Sequence, residues 1–142
     1  MPLAFAGLLL LAGARSPLKA DENDLKSHGP IQWIDSVDQA KKLAAKSHKP
    51  IMIDFWAKWC GPCLQMLATT YKDKQVLEKS KLFVPVLINY DKAPEVVKKY
   101  KISSMPVLIF LDSKGKIIEQ SGGFHKSDEV LKMMANALKK NK

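Results

Sequence analysis

The sequence predicts an α/β domain with a mixed central β-sheet and helices on both faces. Two apolar stretches, residues 51–57 and 82–89, have the length and composition of buried central strands. Two further strands, residues 107–111 and 116–120, are joined by a short turn and predict a hairpin. A β-α-β order followed by β-β-α places parallel and antiparallel pairs in one sheet, which is why the sheet is expected to be mixed.

Helices are predicted from capping signals and from apolar residues at helical spacing. Ser36 and Gln39 have the spacing of a capping box, and the apolar face that follows continues to about Ser47. Proline is tolerated in the first turn of a helix, which favours helix starts at Pro62 and Pro94. The further predicted helices are residues 62–68, 75–79, 94–100 and 127–140, the last with Ser127 as its cap.

Length and composition favour one globular domain. The chain has 142 residues, of which 46% are hydrophobic, enough for a single core. The net charge of +9 comes mainly from lysines that are spread along the sequence, without arginine clusters or interleaved aromatic residues. We therefore expect a monomer that does not bind nucleic acid and that prefers partners with acidic surfaces.

Residues 1–20 are predicted to be a signal peptide. An apolar stretch with four consecutive leucines is followed by small residues that allow cleavage near Ala14 or Ala20. The stretch is shorter than the roughly 20 residues of a membrane-spanning helix, although no lysine or arginine precedes it. We expect a periplasmic or otherwise exported protein; an uncleaved membrane anchor is the alternative. Residues 21–30 are polar and predict a flexible lead-in to a folded domain at 31–142.

The two cysteines, Cys60 and Cys63, are separated only by Gly61 and Pro62 and follow Trp59. This spacing places both sulfurs on the first turn of a helix, where they can bond to each other or separate as thiols. Unpaired backbone N–H groups at the helix start favour a thiolate on the first sulfur. Cys60 is therefore expected to be the nucleophile, and Cys63 to resolve the mixed disulfide that Cys60 makes with a substrate.

A structural disulfide and a zinc site are the alternatives to a redox role for the cysteine pair. A structural disulfide across two residues closes a very small loop and removes little entropy from the unfolded chain. A zinc site needs about four ligands, and the three histidines are scattered without ligand spacing. No metal site is therefore expected. A redox pair is favoured because this motif follows an apolar strand and precedes a helix.

These motifs resemble those of thioredoxins. Residues 53–63 (IDFWAKWCGPC) are similar to the active-site strand and helix start of that family, and residues 104–108 (SMPVL) to its cis-proline loop. The resemblance covers about residues 31–140. It implies a thioredoxin fold and thiol-disulfide exchange without a cofactor beyond the Cys60–Cys63 pair.

A finer resemblance concerns residues 70–76 and the pair Lys49-Pro50, which are similar to the C-terminal periplasmic domain of the DsbD electron transporters. Leu64 and Ala68, where thioredoxins have a basic residue and a proline, also resemble periplasmic members. The resemblance implies a reductant of disulfide-containing proteins that receives electrons from a membrane donor of the DsbD type. A disulfide-forming oxidant or isomerase and a chaperone-like peptide-binding module are the alternatives.

Asp54 lies six residues before Cys60 on an otherwise apolar strand. We expect its side chain to be buried, and burial raises the pKa of a carboxyl group. The resemblance assigns it the catalytic role of general base for Cys63, acting through a water; a purely structural aspartate is the alternative. The lysine that accompanies this aspartate in thioredoxins is replaced by Leu87, which removes a cation that would favour the charged carboxylate.

The resemblance also implies where a substrate binds. It predicts a cis Met105–Pro106 bond next to the cysteine pair, with the backbone of Met105 turned outward to pair with a substrate peptide. A trans proline at the start of a strand is the alternative. Gly123, or its neighbour Gly122, matches the glycine that lets the substrate backbone approach closely. Trp59 is expected to shape the docking surface beside the nucleophile.

Overall fold

The computed structural model describes Leu25 and residues 28–142, and these form alternating strands and helices. The strands are β1 (Ile51–Trp56), β2 (Val84–Asn89), β3 (Val107–Leu111) and β4 (Ile117–Gly122). The α-helices are α1 (Val37–Ser47), α2 (Gly61–Ala68), α3 (Lys74–Ser80), α4 (Pro94–Lys99) and α5 (Ser127–Lys140). A single 3₁₀ turn, Thr70–Lys72, separates α2 from α3.

The four strands form one mixed sheet in the order β2-β1-β3-β4. Strands β1 and β2 are parallel, whereas β1 with β3 and β3 with β4 are antiparallel. β1 is thus a central strand, and all six of its residues are buried. The predicted mixed sheet flanked by helices is confirmed.

Helices cover both faces of the sheet and enclose two separate cores. The first core contains residues of α1, and residues of α4 pack against this core. The second core contains residues of α2, α3 and α5. Successive residues of β1 alternate between the two: Ile53 and Phe55 belong to the first, Met52 and Trp56 to the second. Asp54, between Ile53 and Phe55, therefore faces the second core, on the side of helix α2.

Most element boundaries lie within one residue of the expectations, and the informative differences concern β2, β4 and the start of α5. Leu82 lies outside β2 and is half exposed, because the chain still turns between α3 and the strand. β4 extends to Gly122, because its ladder with β3 continues until Gly122 pairs with Val107. Ser127 is the first helical residue of α5 rather than its cap. Lys126 has the extended cap conformation, and its backbone N–H donates to Glu129 Oε2 at 2.8 Å.

The packed domain begins earlier than residue 31. His28 lies in the stretch that was expected to be a flexible lead-in, yet its side chain is buried and its ring packs edge-on against Trp56 with centroids 4.1 Å apart. Its carbonyl oxygen also accepts a hydrogen bond from the Trp33 indole N–H. The predicted signal peptide at residues 1–20 lies outside the described residues. Within the described part of the chain, no helix has the length and apolar character needed to span a bilayer.

Candidate active site

Cys60 and Cys63 are joined by a disulfide at the start of helix α2. Cys60 is the N-cap residue, and its sulfur accepts a hydrogen bond from the backbone N–H of Cys63 at 3.3 Å. Gly61 and Pro62 fill the first two helical positions, where the missing N–H of proline costs no helical hydrogen bond. Once reduced, Cys60 would keep this N–H donor and the positive end of the helix dipole, both of which favour its thiolate.

The two sulfurs differ modestly in access. Cys63 is fully buried, whereas Cys60 keeps 5% of its surface exposed next to the open position at Gly61. The predicted division of labour, in which Cys60 attacks and Cys63 resolves, stays a prediction.

Sheet topology brings the other predicted site residues to the end of the sheet where the disulfide lies. β1 ends at Trp56 and leads directly to Cys60, while antiparallel β3 starts at Val107, opposite Phe55. Pro106, immediately before β3, is therefore placed at the end of β1 from which the cysteine motif departs. Pairing of β4 with β3 brings the end of β4 to the same end of the sheet.

The Met105–Pro106 peptide bond is cis, and the Pro106 carbonyl accepts a hydrogen bond from the Gly123 N–H at 2.9 Å. Gly123 has φ +94°, a backbone conformation that L side chains rarely adopt, and no atom within 4 Å of where a Cβ would stand. Of the two glycines considered, Gly123 is thus the one whose backbone demands glycine. The role of Met105, Pro106 and Gly123 in binding substrate stays a prediction.

Trp59 projects beside the disulfide, with 67% of its surface exposed. Its indole N–H donates to Asp91 Oδ2 at 2.9 Å, and its ring packs edge-on against Tyr90. Asp91 is held in turn, because its backbone N–H donates to Asn89 Oδ1 at 3.0 Å. The exposed ring is therefore oriented by the loop after β2 and offers an apolar surface next to Cys60.

Asp54 is fully buried on β1, paired in register with Leu87 of β2 and Leu108 of β3. Burial without a cation raises the pKa of its carboxyl group to about 8, and the Tyr71 hydroxyl opposes part of that rise. Leu87 is the register partner of Asp54 on β2, so the apolar residue that replaces the thioredoxin lysine lies beside the carboxyl group. A carboxyl group with a pKa near neutrality can accept a proton from a thiol, which is the property a general base requires.

No group of three or more histidine, cysteine, aspartate or glutamate residues within the described ranges is arranged to hold a metal ion. The chemistry that the described site offers is therefore that of two sulfurs, one buried carboxyl group and an apolar rim.

Fold and site together define a thiol-disulfide oxidoreductase of the α/β class. The thioredoxin family model matches residues 34–136, which is most of the chain. The chain belongs to the thioredoxin family.

Individual relatives agree with that assignment. Thioredoxin-1 of Drosophila melanogaster is 33% identical over 108 residues, a match that covers 72% of this chain and 92% of the relative. The thiol:disulfide interchange protein DsbD of Campylobacter jejuni is 27% identical over 137 residues, 93% of this chain but only 24% of that protein. This chain is thus similar to a DsbD-type thioredoxin-like domain that makes up about a quarter of that protein.

Solved structures show the same fold. A thioredoxin from Thermus thermophilus superposes with a TM-score of 0.68 at 22% identity, covering 76% of this chain and 87% of that one. The germline thioredoxin Deadhead from Drosophila superposes with a TM-score of 0.58 at 34% identity, covering 69% and 90%. The predicted thioredoxin fold is confirmed.

Two residues at the site had no role in the sequence-based account. Asp91 lies two residues after the end of β2, at the end of the sheet where the active site lies. A polar residue shortly after a buried strand is the sequence signal that could have identified Asp91. Tyr71 lies in the segment that resembles DsbD, but nothing in the sequence showed that a hydroxyl eight residues after Cys63 returns to Asp54.

Proposed function

We propose that this protein is an exported protein-disulfide reductase that acts through a mixed disulfide on Cys60. The observation that carries the proposal is the Cys60–Cys63 disulfide at the N-terminus of α2, on the face of the sheet where Asp54 is buried. The family supplies the reaction class. The direction of electron flow and the location of the protein are the parts proposed here.

In the first step, the Cys60 thiolate attacks one sulfur of a substrate disulfide. A bond forms between Cys60 and that sulfur, the substrate S–S bond breaks, and the other substrate sulfur leaves as a thiolate. We expect the exposed Trp59 ring and the backbone at Met105 to flank the position of the substrate sulfur, because both lie at the end of the sheet where Cys60 stands.

In the second step, Cys63 loses its proton to Asp54 and attacks the Cys60 sulfur. The intramolecular disulfide forms, the mixed disulfide breaks, and the second substrate sulfur leaves as a thiolate. Two electrons have then moved from the dithiol to the substrate. Because Cys63 is fully buried, its proton needs an internal acceptor, and Asp54 is a buried carboxyl group on the same side of the sheet.

The reducing direction follows from the two residues between the cysteines. Strong stabilisation of the Cys60 thiolate favours the reduced protein and produces an oxidant. Gly61 and Pro62 carry neither a cation nor a hydrogen-bonding imidazole, so the thiolate gains mainly from the helix terminus and from the Cys63 N–H. The reduced form is therefore stabilised only moderately.

We expect a reduction potential close to that of a reductant. Thioredoxin, at about −270 mV, and the oxidant DsbA, at about −120 mV, bracket the range. Equilibration of the protein with glutathione buffers of known ratio, followed by quantification of the Cys60–Cys63 disulfide, should give a value nearer the first. A potential above roughly −180 mV, the value of protein disulfide isomerase, would instead support the oxidant or isomerase alternative.

A reductant in an oxidising compartment needs a source of electrons. Similarity to a domain of DsbD supports a membrane dithiol donor of that type, and disulfide-containing proteins as substrates. The net charge of +9 favours acidic surfaces on either partner.

Export is tested separately from the chemistry. Residues 1–30 fused to a reporter enzyme that is active only outside the cytoplasm should give an active reporter, whereas a matched fusion of residues 21–30 should not, because the apolar stretch is missing. Two inactive fusions would contradict export. Recovery of the active fusion in the membrane fraction would identify an uncleaved anchor.

A further inference from the structure

We propose that Tyr71 is a positioning residue for Asp54, with its hydroxyl donating a hydrogen bond to the ionised carboxylate that accepts the Cys63 proton. This inference rests on the proposed function. It assigns to a tyrosine of the turn between α2 and α3 the stabilising role that a lysine on the neighbouring strand would otherwise have.

Burial and missing partners point to the pair. Asp54 and Tyr71 are both fully buried and both face the core beneath α2. Among the described residues, four buried side-chain atoms lack a hydrogen bond of ordinary geometry, and three of them are the two Asp54 carboxyl oxygens and Tyr71 Oη. An unpartnered buried polar group is costly, so three such atoms facing one core indicate groups that serve one another in another state of the cycle.

The directions of the pKa shifts agree with an interaction between the two groups. Asp54 raises the pKa of the Tyr71 hydroxyl after the larger effect of burial, and Tyr71 lowers the pKa of the Asp54 carboxyl against the larger effect of burial. A phenol hydroxyl that stays protonated is a hydrogen-bond donor, and an ionised carboxylate is an acceptor only. The interaction therefore favours the carboxylate over the neutral acid.

Among the described residues, no cation contributes to the pKa of the Asp54 carboxyl group. Its neighbours in register are Leu87 and Leu108, and the α5 residues in this core are apolar. Other titratable side chains near this side of the domain include the two cysteines, Tyr90, His28 against Trp56, and His125, whose carbonyl accepts from Thr70. Among the described side chains, the Tyr71 hydroxyl is the one that contributes to the pKa of the Asp54 carboxyl group.

The Tyr71 ring is held in place independently of its hydroxyl. It packs edge-on against Trp33, with ring centroids 5.1 Å apart. A Tyr71→Phe variant keeps this packing and removes only the hydroxyl, so it isolates the hydrogen bond.

The kinetic test follows the second step of the reaction. The reduced protein is mixed with an aromatic disulfide whose thiol product absorbs visible light, and the second release of that thiol is recorded between about pH 6 and 9, the range around a near-neutral base. A hydrogen bond to a charged group corresponds to about one pKa unit. Tyr71→Phe should therefore move the midpoint of this release upward by about one pH unit and slow it several-fold at pH 7.

The matched control is Tyr100→Phe, which removes the hydroxyl of a tyrosine that packs on Phe55 in the other core. The control should keep the wild-type midpoint. Asp54→Asn should abolish the pH dependence that Tyr71→Phe shifts, and the double variant should behave like Asp54→Asn. An unshifted midpoint in a folded Tyr71→Phe protein, or equal shifts in both tyrosine variants, would overturn the proposal.

A second measurement needs no turnover and no Tyr71 variant. The ¹³Cζ resonance of Tyr71 in the oxidised protein should titrate with the Asp54 carboxyl, and this titration should vanish in Asp54→Asn. A pH-independent Tyr71 resonance in wild type would overturn the pairing even if the enzyme is active. Absence of any disulfide turnover by wild type, with the Tyr71 titration present, would overturn the proposed function and leave the pairing standing.

Discussion

A Cys63→Ser variant is expected to accumulate as a covalent adduct with its substrate, whereas Cys60→Ser forms none and loses disulfide turnover by at least about a thousandfold, the scale seen when an enzyme loses its nucleophile. Serine in place of Cys63 leaves Cys60 at the helix N-terminus, so the first step proceeds and the second does not. Serine in place of Cys60 removes the attacking thiolate, and the remaining Cys63 thiol is fully buried.

The two variants control for each other, because each removes one sulfur from the same helix turn. Mass spectrometry of the intact protein after reaction with a disulfide-bonded substrate counts the adduct directly. Equal amounts of adduct on both variants would show that either sulfur can attack. Absence of disulfide turnover in wild type as well as in Cys60→Ser would point to a chaperone-like module in which the cysteines are incidental.

An Asp54→Asn variant of the oxidised protein is expected to be more stable than wild type, and increasingly so as the pH rises. The pKa of the Asp54 carboxyl is about 8 in the folded protein and near its ordinary value in the unfolded chain. Below about pH 4 both states hold the proton and the carboxyl costs no stability. Between about pH 4 and 8 only the unfolded chain releases it, so wild type loses stability as the pH rises.

The difference between the two pKa values corresponds to a few kcal/mol at full effect, at about 1.4 kcal/mol for each pH unit. Urea unfolding at pH 4, 6 and 9 measures it as a free energy of unfolding. Asp112→Asn is the matched control, because that buried carboxylate accepts hydrogen bonds from the Lys114 and Lys116 N–H groups at 2.9 Å. A gain for Asp54→Asn that is independent of pH, or the same pH-dependent gain in the control, would contradict the assignment.

The sequence was informative wherever a local pattern determines the structure. The apolar run 51–57 and the helix signals at Ser36 and Pro94 predicted elements at almost their observed positions, because length, burial and capping act within a few residues. The burial of Asp54 was also predicted correctly, because both faces of a central strand are covered and its side chain cannot reach solvent.

What the sequence could not show depends on contacts between distant segments. The hydrogen bond between Trp59 and Asp91 joins residues 32 positions apart, and Tyr71 enters the same core as Asp54 from the 3₁₀ turn after α2. The packing of His28 against Trp56 was missed for the same reason, since a polar segment without periodicity carries no local sign that one of its residues enters the core.

The alternation of side chains along β1 has a consequence for how the site can change during evolution. Asp54 is flanked by Ile53 and Phe55, which face the α1 side, and its own position is set by pairing with Leu87 and Leu108 on either side. A one-residue slip of this strand would exchange the two faces and move the carboxyl group into the opposite core, out of reach of Cys63. The register of β1 therefore keeps the Asp54 carboxyl group on the same side of the sheet as the Cys63 sulfur. Insertions that keep the β1 side chains on their present faces therefore lie outside the strand, before Ile51 or after Trp56.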